Sequence, residues 1–338
     1  LNLSRWTVSM VINGYAREKG ISTKTIQQVK EYIKQRGYVP YRPALILKTR
    51  KHLRVGILYC DRLYSHLIEA FNKITDLFSQ QPDSLETLIV KRQFLIKGVQ
   101  ELLARGVNNL IWIHTLQWQN EFTQPELLNY LANFDKVLIY NYHFGPGDNS
   151  AELIKRKFYL IGVERLAGYQ KIARFFKKLG HQKIALIVDM KMNRGVAQKW
   201  LQIYQQQGLK PYQLEIPPRG QLKERAQIAA TKIQACLKKE KITGVNFLDD
   251  EYAAYTMMIL RRMGIRIPQQ LSIISYDGMP FTEFVTPALT TLAVPVKAMT
   301  QTIANIIQGK IEKEYYFSFP LKIIKRETHQ ILNSQKES

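Results

Sequence analysis

The side chains best equipped for chemistry in this sequence fall into two groups, and neither forms a catalytic set. Near the start, Arg5, Trp6 and Met10 share one face of a short amphipathic segment, with Val8, Val11 and Ile12 on the other. An arginine so placed could pair bidentately with a guanine edge, and Trp6 or Met10 could touch a thymine methyl. By periodicity alone an ordinary surface helix is the better reading, because amphipathic helices this short are common. Further along, Asp249, Asp277 and Arg194 are planar groups that make two hydrogen bonds each, which suits paired hydroxyls. Tyr64, Trp112, Trp118 and Phe281 could cover the apolar face of a sugar. Asp249-Asp250 also precedes a helical segment, where capping is at least as good a reading as ligand contact. His66, His114, His143 and Cys60 are scattered rather than spaced for catalysis. There is no Gly-x-Ser-x-Gly elbow, P-loop or metal-ligand spacing, so no enzyme activity, cofactor or metal is expected.

The charge balance points to an anionic partner. The 338 residues carry a formal charge of +22, which favours nucleic acid first and a membrane surface second. Through Arg54 there are twelve Lys/Arg against Glu18 and Glu31, so +10 lies in the first sixth of the chain. A concentrated basic N-terminus is the electrostatic footprint of a DNA-binding module. Two cysteines, Cys60 and Cys236, stand far apart without a disulfide framework, and no export signal or apolar run of membrane-spanning length is visible. These features imply a reducing cytoplasm and no membrane partner.

Elements must position these residues, and the pattern changes sharply along the chain. Residues 1–36 read as two or three short basic helices, and 37–53, with Pro40 and Pro43, as a linker holding one short apolar turn. From Leu53 onward, strand-type apolar runs alternate with amphipathic helices, which implies βαβ units and parallel sheets. Strands are expected at Arg54–Tyr59, Leu85–Val90, Asn109–Ile113, Lys136–Tyr140, Tyr159–Gly162, Lys183–Val188, Gln213–Ile216, Gly244–Phe247 and Leu271–Tyr276, with a further strand from Leu292. Helices are expected at Tyr64–Ser79, Ile96–Arg105, Ala167–Leu179, Arg225–Glu240, Tyr252–Met263 and Lys297–Gln308. That is too many strands for one ordinary sheet. The expected fold class is α/β: two doubly wound parallel-sheet lobes preceded by a small all-α headpiece, with a ligand at the carboxyl ends of the strands in the cleft between lobes.

Ser4-Arg5-Trp6-Thr7-Val8-Ser9-Met10-Val11-Ile12-Asn13-Gly14, then Ser22-Thr23-Lys24-Thr25 and Gly37-Tyr38-Val39-Pro40, resembles the DNA-binding headpiece of the lactose/galactose repressor (LacI/GalR) family. The likeness continues through Gly162–Gly168, Leu179–Ile187, Ser275-Tyr276-Asp277, Leu289–Leu292 and Phe319-Pro320-Leu321, so it spans nearly the whole chain. It implies a helix-turn-helix headpiece at 1–40, a hinge at 41–53, an N-terminal lobe at 54–159 plus about 293–314, and a C-terminal lobe at 160–292 plus about 315–334. The family headpiece begins with a further helix, so a segment upstream of Leu1 is expected.

The resemblance also assigns roles. Arg5, Trp6 and Met10 fall on variable, operator-reading positions, with Ser4, Thr7, Ser9 and Asn13 alongside them at the DNA. Leu47 takes the place of the leucine wedge that the hinge inserts in the minor groove, with Lys48 beside it. Pro43 and Leu45 depart from the family hinge, and loss of the usual arginine removes one phosphate contact. Tyr64, Glu164, Arg194, Asp249 and Asp277 match effector-lining positions, although Ala197-Gln198 departs from the usual Gly-Phe pair. The implied protein is a homodimeric transcriptional regulator, a repressor, controlled by a sugar-like effector. The competing classes are a solute-binding protein of a transporter, which shares the two-lobe fold, and, with weaker support, an enzyme on the same lobes.

Overall fold

The computed structural model describes residues 3–12, 14–37, 54–60, 65–79, 85–114, 122, 124–144, 148–189, 194–217 and 221–332. The expectations for Asn13, Pro43, Leu45, Leu47, Lys48, Tyr64 and Trp118 lie outside these residues, as does the side chain of Arg194.

The N-terminal module is two helices on a small apolar cluster. Helix α1 (Arg5–Ile12) is capped by Ser4, whose Oγ accepts from the Thr7 amide at 3.0 Å. Helix α2 (Thr23–Arg36) is capped in the same way by Ser22, which accepts from Thr25 at 3.1 Å, and ends on Gly37 in the left-handed conformation, φ 59°. Buried Val11, Ala16 and Val29 join the helices, with Leu3, Val8, Ile21, Ile26 and Ile33 packed around them. Val8 and Val11 of the expected stripe therefore face inward, while Ile12 is half-buried outside this cluster.

The chain forms two compact units, and the N-terminal module belongs to the first. One comprises Leu1–Leu63, Ala70–Gly162 and Lys297–Ser318; the other comprises Tyr64–Glu69, Val163–Val296 and Phe319–Ser338. In the first, strands β1 (Val55–Cys60), β2 (Leu85–Val90), β3 (Asn109–Ile113), β4 (Lys136–His143) and β5 (Tyr159–Val163) alternate with helices α3 (Ser65–Phe78), α4 (Leu95–Ala104), α5 (Pro125–Leu131) and α6 (Ser150–Lys155). In the second, α7 (Arg165–Lys178), β6 (Lys183–Asp189), α8 (Arg194–Gln206), β7 (Lys210–Ile216), α9 (Leu222–Glu240), β8 (Gly244–Asn246), α10 (Asp250–Arg262), β9 (Ser272–Asp277) and β10 (Thr290–Ala293) follow. Helix α11 (Val296–Ile307) and strand β11 (Tyr316–Phe319) return to the first unit, and β12 (Lys322–Ile324) to the second.

The strand orders are β11-β5-β4-β3-β1-β2 and β12-β10-β9-β8-β6-β7. Both reverse direction of growth around a first strand, which is the doubly wound pattern. The β1–β2, β1–β3 and β3–β4 pairs are parallel, as are β6–β7, β6–β8, β8–β9 and β9–β10. One edge departs from the all-parallel expectation: β12 runs antiparallel to β10. Strands β3, β5 and β9 are buried along their whole length, which fits the apolar runs Leu110–Ile113 of β3 and Tyr159–Val163 of β5; β9 instead carries Ser272, Ser275 and Asp277 into the interior. Among the described residues, no helix is long and apolar enough to cross a membrane.

Candidate functional site

In the headpiece, the N-terminal turn of α1 presents Arg5 and Trp6 outward; Trp6 is 55% exposed. Thr7, Ser9 and Met10 are half-buried, so the outward face is narrower than the spacing implies. Ser4 serves the helix itself, because its hydroxyl also lies 2.8 Å from that of Thr7.

In the second unit, buried polar groups converge at the carboxyl ends of β8 and β9, the edge of a doubly wound sheet where ligands bind. Asp249 is the N-cap of α10 and accepts from the Tyr252 amide at 2.7 Å, so the capping role proves real. Its neighbour Asp250 is fully buried. Its Oδ2 accepts from the amides of Gly278 and Met279 at 2.8 and 2.7 Å. Its Oδ1 accepts from the hydroxyls of Thr291, at 2.6 Å, and Ser275. Burial and the nearby Asp277 carboxylate push Asp250 up to about 7, against four donors that favour its charged form.

Asp277 ends β9 at φ 129° and is 5% exposed. Its Oδ1 lies 2.6 Å from Nδ1 of His66, on the first turn of α3, which clusters with the second unit. Nearby, the Arg165 guanidinium lies 5.4 Å from the centre of the Tyr276 ring. Tyr169 packs on Trp200 and Tyr276, and Tyr204 donates to Asn246 Oδ1 at 2.7 Å. Burial raises Tyr169, Tyr204 and Tyr276, so all three phenols stay neutral. Glu164 is exposed at the N-cap of α7, where its side chain makes no cap bond. Phe281 is half-buried in a short 3-10 turn.

The first unit corrects one expectation. Trp112 offers no open face: it is 1% exposed and packs on Phe122 and His114 in the core. At the carboxyl ends of β3 and β4 lie buried His114, Asn141 and His143, with Asn141 at φ 64° donating to the His114 carbonyl at 2.9 Å. Sequence reasoning weighed Asp250 only as a helix cap or ligand contact and passed over Asn246, Asn141 and the His66–Asp277 pair. The available signal was polar residues closing apolar strands, as in Asn141 after Val137–Tyr140. Among the described residues, no group of His, Cys, Asp and Glu could hold a metal ion.

These features define a class: a two-unit, doubly wound sensor of the periplasmic binding protein type that carries a basic two-helix headpiece. Residues 173–328 match the periplasmic binding protein-like domain. The sucrose operon repressor of Streptococcus mutans is 26% identical over 92% of this chain and 90% of its own length. The transcriptional regulator GalS of Salmonella typhimurium is 23% identical over 90% and 85%. Among solved structures, the lac repressor dimer bound to operator and an anti-inducer superposes with a TM-score of 0.65 at 20% identity, covering 97% of this chain and 96% of that one. Over nearly its whole length the chain is thus similar in sequence to transcriptional regulators such as the sucrose operon repressor, and in fold to the lac repressor.

Proposed function

We propose that this chain is a sequence-specific DNA-binding repressor whose operator affinity is set by a small sugar-like effector. The observation that carries the reading is the Ser-capped helix α1, with Arg5 and Trp6 exposed at its N-terminal end, in a basic headpiece attached to sensor units. Base edges are read from that end of a recognition helix. Arg5, Trp6 and Met10 read bases, with Ser4, Thr7, Ser9 and Asn13 beside them, and Leu47 and Lys48 act in a hinge over residues 41–53. The effector is held by Asp277 with Tyr64, Glu164, Arg194 and Asp249. Asp277 suits this role because it closes β9 at the carboxyl end of the sheet, where the two oxygens of a carboxylate can accept from paired ligand hydroxyls. Relatives named for sucrose and a cellobiose-bound CelR support a sugar-like ligand.

The protein acts as a homodimer in the cytoplasm, without catalytic activity. Tyr255 and Met258, three apart on α10, and Phe284, 80% exposed, leave apolar surface on the second unit; Ile89 and Phe94 do so on the first. A second copy would bury them.

The test is site selection from random duplex DNA, with and without a panel of sugars. A near-palindromic site whose recovery changes with one sugar is the expected result. Replacing Arg5 with Ala should then relax preference at one position by about 1–3 kcal/mol. A uniform loss over all sequences would instead make Arg5 a phosphate contact, and no enrichment over bulk DNA would defeat the regulator reading.

A further inference from the structure

The end of α2 is seated on the first unit through contacts that the headpiece does not need for its own fold. Helix α2 packs along α5. Lys34 Nζ lies 3.0 Å from Glu126 Oε2 at the start of α5. Gly37 is buried against the end of α5: a Cβ there would stand 2.4 Å from the Asn129 carbonyl oxygen. Asn133 joins the two. Its Nδ2 donates to the Asn129 carbonyl at 2.7 Å and across to the Gly37 carbonyl at 3.0 Å, with longer contacts of 3.4 Å to Arg36 and Tyr130. An amide nitrogen has two N–H groups, so the two short contacts use both of them. One hydrogen bond ties Asn133, in the turn just after α5, to the end of that helix, and the other ties the turn to the headpiece.

We infer that Asn133, aided by the Lys34–Glu126 pair, is a positioning residue: it docks the headpiece on the first unit in an orientation that leaves the reading face free. The direction of the effect follows from exposure. Arg5 and Trp6 remain exposed while α2 is docked, so docking does not cover the face that meets DNA. Seating α2 restricts the headpiece before DNA arrives, and DNA binding then orders less of the chain. The same contact gives α5 a direct hold on the headpiece, in addition to the covalent linker. The consequence for DNA rests on the regulator reading above; the docking itself does not.

The test uses the full chain in native form and as Asn133→Asp, Glu126→Lys and the exchanged pair Lys34→Glu/Glu126→Lys. Aspartate keeps the shape of asparagine but has no N–H to donate, so it turns a carboxylate toward carbonyl oxygens. Two readouts are taken: amide hydrogen exchange along α2 and α5, and affinity for the duplex recovered by site selection. Asn133→Asp and Glu126→Lys should each speed exchange at the end of α2 and weaken duplex binding by roughly two- to tenfold. The exchanged pair should restore both toward native, which a general loss of stability would not do. Exchange in β8 and β9 of the second unit should not move. Unchanged exchange in α2, or faster exchange with duplex binding unchanged or tightened, overturns the proposal. If the native chain selects no duplex, the regulator reading falls, and exchange alone decides the docking: faster in Asn133→Asp supports it, unchanged overturns it.

Discussion

Asp277 holds a backbone conformation that side chains rarely adopt, φ 129°. Such strain costs of order 1–3 kcal/mol and persists where its surroundings fix it. Here it lets the chain leave β9 with the Gly278 and Met279 amides pointing at Asp250. That carboxylate and His181 should give the second unit opposed pH responses. Burial lowers His181 to about 4 from its ordinary 6.5. Between those values the unfolded chain takes the proton more readily. The contribution of His181 is therefore complete above pH 6.5 and lost as pH falls toward 4, roughly 3 kcal/mol in all. Asp250 has the reverse sign: raised to about 7 from 3.8, it stabilises fully below pH 3.8 and its contribution is lost as pH rises through 7. The two offset over the shared window. His181→Gln should uncover the Asp250 limb, so that its urea midpoint declines steadily between about pH 4 and about pH 8. A midpoint that rises with pH in this variant would mean that the four donors keep Asp250 ionised.

The turn joining β9 to its following segment is where element geometry and site meet. Gly278 has φ 82°, and a Cβ on it would lie 2.4 Å from Ala293 Cβ on β10. Gly278→Ala must push the turn away from β10 and withdraw two amides from Asp250. It should destabilise the second unit by roughly 2–4 kcal/mol in denaturant titration and weaken effector binding as well. A loss within experimental error would show that the turn shifts without disturbing the carboxylate. Asp277-Gly278 after the expected strand marks a turn, but not what gathers at it, because the residues that meet there come from positions 250, 275, 278, 279 and 291. The regular elements were far more legible. The expected strands Leu85–Val90 and Asn109–Ile113 coincide with β2 and β3; the apolar run Leu110–Ile113 fixes β3, and Thr87, Ile89 and Val90 supply the β-branched residues of β2. The start of β7 escaped notice because Pro211 lies in it; β7 is an edge strand, where a missing donor is tolerated. Helices α5 and α6, of seven and six residues, are too short to show a helical period, and β11 and β12, of four and three residues, too short to show alternation.

On the scale of the whole molecule, the net charge of +22 is densest in the headpiece, with +10 of it in the first 54 residues. On the function proposed above, operator affinity depends on two things: the phosphates met by each headpiece, and the contact between copies that presents two headpieces together. These separate in salt dependence, because log K falls against log salt with a slope of about −0.9 for each phosphate neutralised. Replacing Met258 and Phe284 together by Glu puts charge into the proposed contact between copies without touching the headpiece. Sedimentation should show the native chain as a dimer and this variant as a monomer. The variant should bind a half-site with about half the native salt slope, because one headpiece meets half the phosphates. A monomeric native chain would defeat the homodimer directly. A monomeric variant that retained the full slope would mean that one headpiece and hinge meet all the phosphates, and that pairing serves only to raise affinity through effective concentration.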